Sequence, residues 1–222
     1  MTTIPVVGLD LSLTSTGVAV VRPYGNVATS RIQTKGAKTA TLVERRQRLG
    51  RIVAAIDDAV PWGALVVVEG PSFGQARQSG QHDRAGLWWL ITAMLTDSGR
   101  LVVEAPPACR CKYATGKGNA AKDYVLAAAV KRYPDVDVSG NDIADAVILA
   151  AMGRRWLGDP IDNMPAVNLA GMAKVPWPDC RPQEPASATN QPPRGYGHAS
   201  GLSERLRAPY ADEPLDLALG PA

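Results

Sequence analysis

Hydrophobic and polar positions in the first 157 residues alternate between two periods, and the switches mark out the elements. Residues 4–12, "IPVVGLDLS", form an apolar run with strand character. "TGVAVVRP" (16–23) and "NVATSRIQT" (26–34) follow, joined by "YGN". Two short β-rich runs around a Gly-Asn turn predict a hairpin, so the first three strands read as an antiparallel meander. In 39–60, Leu42, Leu49, Ile52, Val53 and Ile56 recur at helical spacing, and Arg45, Arg46, Arg48 and Arg51 fall on what reads as the solvated face. "ALVVVEG" (64–70) is a continuous apolar strand, suited to a sheet covered on both sides. Residues 82–98 predict a helix apolar on most sides, and 100–106 a strand stopped by Pro106 and Pro107. "ACRCKYATGKG" reads as a loop leading to helices at 119–132 and 141–156. The order β-β-β-α-β-α-β-α-α implies an α/β fold, a mixed five-stranded sheet between helices.

Composition changes at residue 158. Eleven of the 18 prolines follow that point, and stretches such as "PQEPASATNQPP" carry no hydrophobic period. Two regions are expected: a folded domain over 1–157 and a proline-rich, mostly disordered tail over 158–222. The tail holds five basic and eight acidic residues, which leaves 19 basic and 13 acidic in 1–157. A basic domain hints at a polyanionic partner. The three cysteines, two in a tight C-x-C, make no disulfide framework, and a zinc site would need further ligands beside Cys109 and Cys111. No run approaches the roughly 20 apolar residues of a membrane span, and "MTTIPVVGLDLS" does not resemble a signal peptide. No membrane association and a cytoplasmic location are expected.

Four acids then stand out. Asp10 lies inside an apolar strand and Glu69 ends another. Asp142 and Asp145 open the last helix, three apart and so on one face. Singly, Glu69 reads first as a strand end at the surface and Asp142 as a helix N-terminal charge. Asp10 and Asp145 resist that reading, because a carboxylate among apolar residues needs a partner. If the first and fourth strands are neighbours, Asp10 and Glu69 lie side by side. Four gathered carboxylates need a cation, and an all-oxygen set selects Mg²⁺, with Mn²⁺ as substitute. Two such ions per site suit phosphodiester hydrolysis.

At these residues the chain resembles the RuvC family of Holliday junction resolvases, in the ribonuclease H-like superfamily. The pieces are "GLDLSLTSTGVAVV", "VVVEGPSFG", "ATGKGNAAKDYVLAAAVKRYP" and "GNDIADAVILAA", in the family's order across most of 6–152. The resemblance implies that Asp10, Glu69, Asp142 and Asp145 are metal ligands. It also implies that Lys112 and Lys122 approach the DNA backbone, that Lys122 serves catalysis, and that Phe73 wedges into the junction. A homodimer acting on branched DNA, four-way junctions above all, and leaving 5′-phosphate ends is the implied activity. Leu11-Ser12 stands where bacterial members carry Pro-Gly, which suits a divergent, phage-type branch and puts strict sequence preference in question.

Other residues fit this reading. The glycine-rich basic loop containing Lys117 suits close approach to phosphate, although a plain flexible connection has the same composition. "SFGQARQSGQHDR" offers Phe73, Gln75 and Arg77 to a DNA channel; a lone Phe equally suits a core. Adjacent Trp88 and Trp89 face different ways, so one enters the core and the other needs a second cover, as at a dimer interface. Two alternatives stand beside the nuclease. "GLDLSLTSTGVAVV" is also similar to the phosphate loop of actin-like ATPases and sugar kinases, which need two such domains. A non-catalytic binder of branched DNA would share the fold but has no need of the four acids.

Overall fold

The computed structural model describes residues 3–71 and 80–179 and the backbone of 216–219. Strands β1 (Val6–Asp10), β2 (Ser15–Val21) and β3 (Val27–Gln33) form the expected antiparallel meander. Helix α1 (Leu42–Ala59) leads to β4 (Leu65–Glu69), then α2 (Gln81–Asp97) and β5 (Leu101–Ala105). Both later strands run parallel to β1, and the expected five-stranded mixed sheet carries a sixth short strand at its β3 edge, giving β5-β4-β1-β2-β3-β6 with β6 (Asp216–Leu219) antiparallel to β3.

Side-chain alternation divides the interior into two cores. Val7 and Leu9 of β1, with Val66 and Val68 of β4, face α1 and α2. Val6, Leu65, Val67 and Val103 face the opposite helices. That second layer holds α3 (Pro107–Thr115), α4 (Lys122–Arg132), α5 (Asn141–Trp156) and the short α6 (Ala166–Leu169). Helix α5 is buried over nearly all its length, which explains why "IADAVILAAM" has no polar face.

Two features differ from expectation. "ACRCKYATGKG" is not a loop: its first eight residues belong to α3, begun by Pro107 in the first turn and ended by Gly116 in the left-handed conformation. Two prolines ahead of a helix are start signals as much as strand breakers. Packed chain also continues past residue 157. Met164, Asn168 and Val175 are buried, and Trp177 stacks on Trp156 with ring centroids 5.6 Å apart. Tyr113 and Tyr133 donate hydrogen bonds to Asp162, at 2.9 and 2.5 Å, and Arg155 does so at 2.6 Å. The segment 159–177 thus braces α3 and α4 from outside. Of the expected disordered tail, 180–215 and 220–222 lie outside the described residues.

The arginines of α1 are more than a solvated face. Arg45 pairs with Asp83 of α2, and Arg48 donates to the Leu13 carbonyl and to Thr34, at 2.5 and 2.9 Å, holding the β1–β2 turn. Cys109 and Cys111 are buried free thiols.

Candidate metal centre

Asp10 and Glu69 reach one another through sheet register. Leu9 of β1 pairs with Val68 of β4, so the next residue on each strand is an acid at the same level. Alternation then places Asp10 with Val6 and Gly8, and Glu69 with Leu65 and Val67, on the face covered by α5. The helix can come down on them because of two glycines. A Cβ on Gly8 would overlap the backbone of Ala146 and Ala150, and one on Gly17 the backbone of Asp142. Glycine at these positions lets α5 lie on β1 and β2 with no intervening side chain.

The result is a three-carboxylate cluster. Ligand oxygens of Asp10, Glu69 and Asp145 all lie within 4.8 Å of one another. Asp145 is 4 % exposed. Burial, more than any neighbour, pushes its pKa up to about 6, with Arg110 pulling the other way and Glu69 adding to the rise. Asp10 is raised well above the usual carboxylate range by burial first and then by the charges of Glu69 and Asp145. Among the described residues none donates a hydrogen bond to it. Buried or half-buried, mutually repelling, hard-oxygen ligands without His or Cys fit a divalent ion of the Mg²⁺ or Mn²⁺ type.

Asp142 does not join this cluster. Its carboxylate accepts a hydrogen bond from Ser15 at 2.5 Å and lies 4.0 Å from Arg31 Nε. One helical turn separates it from Asp145, yet β2 and β3 hold it at the rim, where its side chain is 32 % exposed. The shared helix face is real, but two partners on neighbouring strands decide where this carboxylate points.

The residue that sequence reasoning missed is Arg110. Rooted on α3, it donates from Nε to Glu69 Oε1 at 2.7 Å and from Nη1 to Asp145 Oδ1. Its only sequence signal lay in the stretch taken for a loop, where a guanidinium had no defined direction. Lys122, at the start of α4, exerts a further positive influence on Asp145. Lys112 is half-buried on α3, and Lys117 is exposed just after it. Trp88 donates from its indole to the Glu69 carbonyl at 3.0 Å, fixing the end of β4, while Trp89 is 68 % exposed. One indole therefore enters the core and its neighbour does not. Phe73, Gln75 and Arg77 lie outside the described residues.

Solved structures similar to this chain include Thermus thermophilus RuvC, at 20 % identity and a TM-score of 0.50, covering 71 % of this chain and 98 % of that one. A second is T. thermophilus RuvC in complex with a Holliday junction substrate, at 18 % identity and a TM-score of 0.47, covering 78 % and 98 % respectively. No protein-family model and no curated protein matches the sequence. The chain therefore has a RuvC-like, ribonuclease H-like fold, reached with a strongly divergent sequence.

Proposed function

We propose that the protein is a metal-dependent endonuclease that resolves four-way DNA junctions and other branched DNA as a homodimer. One observation carries the reading: Asp10, Glu69 and Asp145, from β1, β4 and α5, converge at the carboxyl ends of parallel strands, where α/β proteins hold their ligands. The solved neighbour bound to a Holliday junction agrees in substrate class. An acidic cluster in a domain of net basic charge suits metal-assisted chemistry on a polyanion.

Asp10, Glu69 and Asp145 hold the divalent ions, with Asp142 as a fourth ligand once it gives up Ser15. Bound there, two Mg²⁺ or Mn²⁺ ions supply activation of a water and stabilisation of the leaving oxygen, giving 5′-phosphate and 3′-hydroxyl ends. Lys122 offsets charge developing on the phosphate oxygens. Lys112 and Lys117 hold the neighbouring backbone by charge. Phe73, Gln75 and Arg77, which come after β4 in sequence, contact the junction. Trp89 and Leu90, both exposed on α2, supply the apolar centre of a symmetric dimer.

The deciding experiment incubates labelled four-way junction, linear duplex, flap and single strand with wild type and Asp145→Asn in Mg²⁺. Junction cleavage by wild type, with binding but no cleavage by the variant, is expected. Wild-type protein that shifts the junction without cutting it, in Mg²⁺ and in Mn²⁺, would leave a binding protein in place of a nuclease. Equal cutting by both proteins would dismiss the carboxylate centre.

A further inference from the structure

Arg110 is a buried cation inside a site built to take cations. Its side chain is 10 % exposed, and both acids it binds are ligands of the candidate metal centre. It supplies one positive charge to three carboxylates, and among the described residues Asp10 is left without a donor. A guanidinium delivers directed N–H bonds in one plane, whereas a divalent ion draws in oxygens from all sides at about 2.1 Å for Mg²⁺. The two cations call on the same Glu69 and Asp145 carboxylates with different geometries, and two positive groups in one partly desolvated pocket repel. Arg110 is held at its head group by these two carboxylates. It grows from a nine-residue helix that borders the basic Lys112–Lys117 surface, on a flexible stem with no other described anchor for its head group.

We infer that Arg110 is a positioning residue acting as an internal counter-ion: it holds Glu69 and Asp145 together before metal arrives, and a divalent ion must displace it from that pair to load. This deepens the proposed function and rests on it, because it concerns the same carboxylates. Arg110 thereby sets the metal concentration at which the centre fills, and its released guanidinium becomes an added cation for the DNA backbone.

The test measures Mn²⁺ binding by calorimetry on the full chain without DNA, comparing wild type, Arg110→Gln and Arg110→Lys. Removing a competing charge should tighten Mn²⁺ binding by about tenfold or more in Arg110→Gln, with Arg110→Lys closer to wild type. Unchanged or weaker binding by folded Arg110→Gln overturns the inference while leaving the nuclease reading intact. Wild-type protein that binds no Mn²⁺ overturns both. If Arg110→Gln does not fold, wild type alone decides by NMR of the Arg110 Nε–Hε group. A shift that follows Mg²⁺ saturation supports displacement, and a resonance unmoved at saturating Mg²⁺ refutes it.

Discussion

Ser15 and Asp142 are 127 positions apart in sequence, yet the serine hydroxyl donates to the aspartate at 2.5 Å and latches the first turn of α5 to β2. The latch separates two acids that helical spacing alone would pair. Asp145, one turn on, drops into the three-carboxylate cluster, while Asp142 stays at the rim between Ser15 and Arg31.

Ser15→Ala releases Asp142. Losing one charge-assisted hydrogen bond at a partly exposed site should cost about 1 kcal/mol of stability. A freed Asp142 joins the metal centre more readily, so half-maximal junction cleavage should need less Mg²⁺ than in wild type. Urea unfolding and a Mg²⁺ titration read the two effects. A higher Mg²⁺ requirement would show that Ser15 presents Asp142 to the metal rather than withholding it.

The metal-free protein should lose stability as pH rises from 5 to 7.5. Asp145 titrates at about 6 in the folded state, against about 3.9 in an unfolded chain. Between these values the native state keeps a proton that the unfolded state has released. The stabilising contribution is complete below about pH 4 and is lost as pH passes 6. The displacement corresponds to an upper bound of about 3 kcal/mol, and Asp10, raised in the same direction, adds to the slope. Urea midpoints in EDTA should fall over this range, less steeply in Asp145→Asn, and saturating Mg²⁺ should restore the loss at pH 7.5. Midpoints that climb with pH in EDTA would contradict the electrostatics of the cluster.

Glycine substitutions should divide by what lies opposite. Gly17→Ala drives a methyl group into the backbone of Asp142 and forces α5 off the sheet. A loss of about 2–3 kcal/mol and weaker Mn²⁺ binding are expected. Gly86 of α2 faces open space, so Gly86→Ala should gain about 0.5–1 kcal/mol from helix propensity alone. Thermal melts compare the pair. Similar small effects at both positions would mean that α5 is not seated on the β2 backbone.

Asp162 is the anchor of the segment that follows α5. Its side chain is 1 % exposed and accepts from Tyr113, Tyr133 and Arg155. Asp162→Ala leaves a guanidinium unpaired and two phenols without their acceptor, at a cost of about 3 kcal/mol or more. Proteolysis should then open 159–177 before the domain unfolds. A variant as resistant as wild type would show that the segment does not depend on this carboxylate.

The chain itself announced the alternation of strands and helices, the antiparallel meander, and the suspicion attached to Asp10, Glu69, Asp142 and Asp145, of which the structure gathers three. Those signals are local: a carboxylate inside "VVGLDLS" or "IADAVILAAM" conflicts with its immediate neighbours, and that conflict is visible without a fold. Helix α3 stayed hidden because two prolines read as a stop, and the bracing by 159–177 because prolines there look like the start of a flexible tail. Tertiary structure alone decided three things. It put Arg110 between Glu69 and Asp145, 41 and 35 positions away. It turned Asp142 toward Ser15, and it made Gly8 and Gly17 the seats of α5. Each depends on the direction in which a side chain, or its absence, meets a distant backbone, and periodicity along a chain carries no such direction.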